Sequence, residues 1–174
     1  VRWMGAFEYG IFVGVWVAAV ILGGIACLGF QTGIIRFISE YRTSGEHEYL
    51  RGAITGSLSW AVIASTLIAF AGSAGGYYFS DWFENYYIIP IYLAAICLPM
   101  LSLQEVQDGV ARAHNWAGVA LAPTVIVRPI LILAAMGIAI LAGYPADAPT
   151  AMIATIIATY IASVGQFVWL ASRL

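Results

Sequence analysis

One residue of this 174-residue chain carries a charge where charge is expensive: Arg128, inside the apolar run 117–142 and followed directly by Pro129. Eleven residues into that run, it lies about 16 Å along a helix axis, near the middle of a bilayer. A guanidinium there costs roughly 2.5–3.5 kcal/mol on insertion scales, and its side chain is too short to snorkel comfortably to water. Such a residue faces a water-filled cavity or a buried partner rather than lipid. Pro129 removes a backbone donor, disfavours helical geometry at Arg128 and frees the Val125 carbonyl. Pro123 lies six residues earlier, so a bend is expected near the charge. Two readings of Arg128 follow. It is a cationic contact for an anionic group such as a phosphate, or it pairs structurally with an acid on a neighbouring helix. No acid lies deep in the chain's apolar runs, so the second reading requires a partner from helices outside this sequence.

The remaining polar residues offer less chemistry. Arg36, Arg42 and Arg51 alternate with Glu40, Glu46 and Glu48, the pattern of a solvated, salt-bridged loop. Arg36 follows Gly33-Ile-Ile at the end of an apolar run, so it can point into the mouth of a bundle. Glu105, Asp108 and Arg112 lie on a polar segment whose Asp108/Arg112 spacing suits a short interfacial helix, with both acids solvated at the membrane edge. His114 reads as a solvent-facing loop residue. Cys27 and Cys97, inside apolar runs, read as packing residues and imply neither a metal site nor a disulfide. No phosphate-binding loop, HExxH, GxSxG or Gly-rich dinucleotide turn is present, and no carboxylate pair is set for acid–base work within a span. Nothing here suggests an enzyme, a cofactor or a metal.

The elements that must position Arg128 follow from composition. Hydrophobic residues make up 62% of the chain and charged residues 9%, against about 25% charged in soluble domains. A net charge of −2 gives no basic face for nucleic acid. Intervals 9–35, 52–80, 85–104 and 148–172 contain no charge, and 117–142 contains only Arg128. About 20 apolar residues cross a bilayer, and these runs lack the period-two alternation of barrel strands. An all-α integral membrane protein is expected, with spans at about 10–32, 53–78, 86–104, 117–142 and 148–171. Arg is concentrated in 33–52 and 105–116 and at Arg173, whereas the other links carry Asp81, Glu84 and Asp147; only Arg2 is out of place. By the positive-inside rule the N-terminus is outside and the C-terminus cytoplasmic. Tyr77, Tyr78, Trp82, Phe83, Tyr86 and Tyr87 read as outer-interface anchors, and Trp116 and Trp169 as inner ones. Gly10/Gly14, Gly29/Gly33, Gly52/Gly56 and Gly72/Gly76 have the spacing for close helix approach. The chain starts without Met and enters a span at once, so a partial sequence is expected.

Two stretches carry a resemblance. The segment EYGIFVGVWVAAVILGGIACLGFQTGIIRFISEYRTSGEHEYLRGAI contains G-x-x-R-F-I-x-E-Y, and QDGVARAHNWAGVALAPTVIVRPILIL contains Arg112-Ala113 ahead of a span and Arg128-Pro129 within it. Both resemble bacterial O-antigen and lipopolysaccharide-biosynthesis flippases of the multidrug/oligosaccharidyl-lipid/polysaccharide exporter superfamily. The resemblance implies a two-lobed exporter of 12–14 helices, of which this chain supplies helices two to six, part of the N-terminal lobe. It implies residence in the bacterial inner membrane, with this segment's N-terminus periplasmic. It further implies export of undecaprenyl-pyrophosphate-linked oligosaccharide by alternating access, alongside polysaccharide polymerase machinery. The family's cavity is cationic, which makes Arg128 the matching position and Arg36 a second candidate. Five helices alone do not enclose a two-lobed path.

The alternatives are a multidrug/cation antiporter of the same superfamily, which would call for an intramembrane carboxylate, and a small accessory membrane protein. A membrane glycosyltransferase would call for a catalytic loop with carboxylates, absent from this segment. The expected topology is testable by cysteine labelling. Cysteines replacing Ser44 or Asn115 react only with membrane-permeant reagents, and those replacing Ser80 or Ala146 with impermeant ones. Labelling of positions 44 and 80 from the same side rules out the five-span arrangement.

Overall fold

The computed structural model describes residues 3–78 and 85–173; Arg2, Ser80, Asp81, Trp82, Phe83 and Glu84 lie outside the described residues. The helices are α1 (Gly5–Ala26), α2 (Phe30–Ser44), α3 (His47–Tyr78), α4 (Asn85–Ala113), α5 (Ala117–Leu121), α6 (Arg128–Leu141) and α7 (Ala148–Ala171). A π-helical segment, Ala122–Val127, joins α5 to α6, and no strand occurs among the described residues. Five segments are long and apolar enough to cross a membrane: Gly5–Ser44, Glu48–Tyr78, Tyr86–Ala113, Ala117–Leu141 and Ala148–Ala171. The last two match the expected spans to within a residue.

The first three spans run longer than expected, for identifiable reasons. The interval read as a loop, 33–52, is helical except for a tight turn at Gly45, whose φ of 76° caps α2. α2 holds Ile34 and Ile38 fully buried, one turn apart on one face, and they pack with Val106 and Val110 of α4. The alternating charges hid this apolar stripe. Between α1 and α2 the ladder breaks at Leu28 (φ 45°) and Gly29 (φ 82°). Left-handed geometry is easy for glycine and strained for leucine. The segment read as a separate interfacial helix is the uninterrupted end of α4, because its polar residues turn inward.

α4 is the centre of the bundle and packs against α1, α2, α3, α5 and α7. Its approach to α2 depends on Gly109, where an added Cβ would lie 2.3 Å from the Gln31 carbonyl oxygen and 2.8 Å from Ile34 Cγ2. Gly23 of α1 similarly meets Leu101 and Ser102 of α4. Ser102 Oγ donates to the Gly23 carbonyl at 3.0 Å, and Cys27 Sγ to the Ser102 carbonyl at 3.3 Å. Among the described residues, no other helix lies within 4 Å of a Cβ placed at any of the four glycine pairs whose spacing suits close approach. Gly14 and Gly72 instead line an apolar hollow of about 300 Å³ between α1, α3 and α4. An i, i+4 spacing puts two glycines on one face but does not decide what that face meets.

Two interactions tie the ends of the bundle together. Glu8 Oε2 accepts from the backbone N–H of Ala148 at 2.9 Å, beside the Asp147 cap on Thr150. This satisfies orphan donors at the start of α7. At the other end, the Arg173 guanidinium sits 5.6 Å from the Trp116 ring and 5.7 Å from the Trp169 ring. Trp116 and Trp169 therefore share a level, as their reading as anchors on one side requires.

Gly109→Ala in the intact protein forces α2 off α4 or strains both. A loss of about 1–3 kcal/mol, typical of overpacking, is expected, read as a lower thermal midpoint in detergent. Gly56→Ala, with nothing within 4 Å, serves as control and does not lower the midpoint, because alanine suits a helix interior better than glycine. Equal midpoints for the two variants rule out the α2–α4 approach at Gly109.

Candidate functional site

Arg128 begins α6 immediately after the π-helical segment. Its φ of −60° and ψ of −50° are helical, contrary to the expectation that Pro129 would push it out of helical geometry. The chain accommodates the proline one turn earlier. The Arg128 N–H donates to the Pro123 carbonyl, five residues back, and this wider ladder makes room where a regular helix would clash.

The side chain crosses from α6 to two other helices. Nη1 donates to Gln104 Oε1 of α4 at 3.1 Å, and the guanidinium carbon lies 5.4 Å from the centre of the Trp16 ring of α1. Gln104 is nine residues before the end of α4, about 14 Å, which agrees with the mid-membrane depth counted from residue 117. The guanidinium is half-buried. Among the described residues its hydrogen-bond partner is thus a neutral amide, on another of these five spans.

One turn away lies a second rung. Asp108 is four residues after Gln104, and Thr124 four residues before Arg128. Thr124 Oγ1 donates to Asp108 Oδ2 at 3.2 Å. The two antiparallel segments therefore meet as a ladder, Gln104 to Arg128 and Asp108 to Thr124. α7 closes it from the side: Gln166 Nε2 donates to Asp108 Oδ1 at 2.5 Å and to the Val119 carbonyl at 3.1 Å. Asp108 is therefore half-buried with two side-chain donors, not a carboxylate solvated at the membrane edge. Asp108 and Glu105 are the two acids whose charge acts on Arg128.

The ladder is the exposed end of a polar seam between α4 and α7. Thr155, Thr159, Ser163 and Gln166 occupy one stripe of α7, and each is no more than 1% exposed. Gln107 of α4 is fully buried, and among the described residues neither of its amide atoms has a hydrogen-bond partner. Gln104 Nε2, Ser163 Oγ and Gln166 Oε1 likewise have none there. Leaving such a group unmade costs about 1–3 kcal/mol, so the seam holds hydrogen-bonding capacity in reserve beside the one deep charge.

Arg36, the second cationic candidate, is exposed on α2. α2 meets α4 through Val106, Gly109 and Val110, on the face opposite Gln104 and Asp108, so the two arginines are not brought together. Arg112 turns back on its own helix, donating from Nε to the Asp108 carbonyl at 3.2 Å. His114 is partly buried and stacked on Trp116, with centroids 4.7 Å apart. Among the described residues no His/Cys/Asp/Glu cluster suits a metal.

α1 and α6 both pack on α7 and leave a groove of about 430 Å³ between them. Phe12 of α1, Ile132, Leu133 and Met136 of α6 and Ala151 of α7 line it, together with Trp3, Met4 and Tyr9. Phe12 stands one turn from Trp16, and Ile132 one turn from Arg128. No family model, curated protein or solved structure matches the chain.

Proposed function

We propose that the protein moves lipid-linked oligosaccharide precursors across the bacterial inner membrane for surface-polysaccharide synthesis, as one part of an alternating-access exporter. The observation that carries this reading is the seat of Arg128. A guanidinium near mid-membrane is held by one neutral amide and one aromatic face, which leaves most of its five donors for an anion such as a pyrophosphate. The sequence resemblance to polysaccharide flippases supplies the substrate class. On this reading the Trp116–Arg173 end faces the cytoplasm, following the arginine distribution.

One observation favours the antiporter alternative. Asp108 is an intramembrane carboxylate with donors from two other segments, the kind of group that carries coupling protons or cations. A single experiment separates the two. Surface glycan and protein abundance are measured together for variants of the intact protein. Under the flippase reading Arg128→Ala abolishes export at normal abundance. Arg128→Lys restores it only in part, because lysine keeps the charge but loses the planar fork, and Asp108→Asn leaves export largely intact. Normal export by Arg128→Ala rules out the substrate contact. Loss of export at normal abundance in Asp108→Asn selects the antiporter reading.

A further inference from the structure

Two amides in the polar seam have their orientation set by the groups they already hold. Gln104 accepts from a guanidinium, which has only donors, so Oε1 faces Arg128 and Nε2 points away. Gln166 is fixed in the opposite sense. Its Nε2 donates to the Asp108 carboxylate and the Val119 carbonyl, both acceptors, which leaves Oε1 turned from them. Neither leftover atom has a hydrogen-bond partner among the described residues, and both side chains are no more than 2% exposed. One is an unmet donor and the other an unmet acceptor.

The helix register adds a third group at the same level. α4 and α7 run parallel: the Tyr160 hydroxyl donates to the Ile96 carbonyl, and Gln166 meets Asp108 farther along both helices. Gln104 lies four residues before Asp108 and Ser163 three before Gln166, so both stand about one turn back from that contact. Ser163 is fully buried, and its Oγ has no partner among the described residues. Thr155, on the same stripe of α7, turns its hydroxyl back to the Ala151 carbonyl. Ser163 makes no such bond to its own helix. Gln107, fully buried and three residues after Gln104, contributes one more donor group and one more acceptor.

We propose that this junction of α4 and α7 is a binding site for water. Its ligand has to accept a hydrogen bond from Gln104 Nε2 and donate one to Gln166 Oε1. A metal cation accepts none and a fully ionised anion donates none, so an ion of either sign leaves one amide unserved. The smallest neutral ligand that does both is water, and buried waters make about three hydrogen bonds to groups of this kind. With Ser163 Oγ as the third partner, one water joins the two helices. It also holds the Gln104 amide with its oxygen on Arg128, which makes it a positioning element for the deep cation. The site is independent of what Arg128 binds.

The test uses the intact protein in lipid bilayers. Its glutamines are Gln31, Gln104, Gln107 and Gln166, so nitrogen-15 labelling of glutamine side chains gives one amide signal for each. The measurement is proton-detected solid-state NMR with magnetisation transferred from water at short mixing times. Each signal is assigned by its disappearance in the corresponding Gln→Met variant. Direct transfer from water to Gln104 Nε2 is expected in the unmodified protein. Ser163→Val, which fills the space and removes a partner, abolishes that transfer and leaves the Gln31 signal unchanged. Absence of direct transfer to Gln104 in the unmodified protein overturns the proposal, and this result requires no variant to fold. Transfer that persists in Ser163→Val overturns it as well, because the water then lies elsewhere. Transfer present in sodium or potassium buffer and lost in choline buffer assigns the water to a bound cation, which also overturns it.

Discussion

The hydrocarbon interior of a membrane supplies no hydrogen bonds, so polar side chains placed there turn toward the protein rather than toward lipid. The interface between α4 and α7 is organised by that constraint. Gln104, Gln107 and Asp108 project from α4, and Thr155, Thr159, Ser163 and Gln166 from α7. If α7 turned its stripe outward, four polar groups would face lipid. The helix rotation is therefore settled by polarity, and apolar matching fills the space around it. α6 then has one place to sit, where Thr124 meets Asp108 and Arg128 meets Gln104. Polar contacts between membrane helices average only about 0.6 kcal/mol each. Their role here is orientation more than strength.

The same seam explains why a lone arginine is tolerable at depth. No single partner neutralises Arg128. Gln104 offers an oxygen, Trp16 a π face, and Asp108 and Glu105 a longer-range field. A close ion pair would have satisfied the guanidinium at the cost of its availability. A distributed set of weak partners holds the side chain in place and leaves donors uncommitted.

Much of this was legible before any coordinates. Four charge-free runs and one interrupted only by Arg128 located the five spans, because charge is what a bilayer excludes most strongly, and Arg128 stood out for the same reason. Reading by charge, however, treats glutamine, threonine and serine as silent, and so it passed over the α7 stripe. Its spacing at 155, 159, 163 and 166 was available to a search for one-face periodicity. Ile34 and Ile38 were missed in the opposite way, as an apolar stripe inside a charged interval. The glycine pairs misled because spacing reports geometry within one helix, whereas close packing depends on what stands opposite. At Gly109 a carbonyl oxygen stands there. The Gln104–Arg128 contact joins residues 24 apart, and no local pattern encodes it.

The π-helical segment makes the placement of Arg128 a matter of residue count. Six residues, Ala122–Val127, wind wider than a regular helix and so carry one residue more than an α-helical path of that rotation would need. Each residue of an α-helix turns the chain by about 100°. Losing one residue from this stretch would let the ladder close as ordinary α-helix, and α6 would keep its course across the membrane. Whichever way the register then settled, either Thr124 or Arg128 would leave its rung by more than a quarter turn. Substitutions within the segment, Thr124 excepted, are comparatively harmless to this alignment. In an evolving lineage, length in these six positions would therefore be held more tightly than identity, a signature that indel statistics could detect where residue conservation would not.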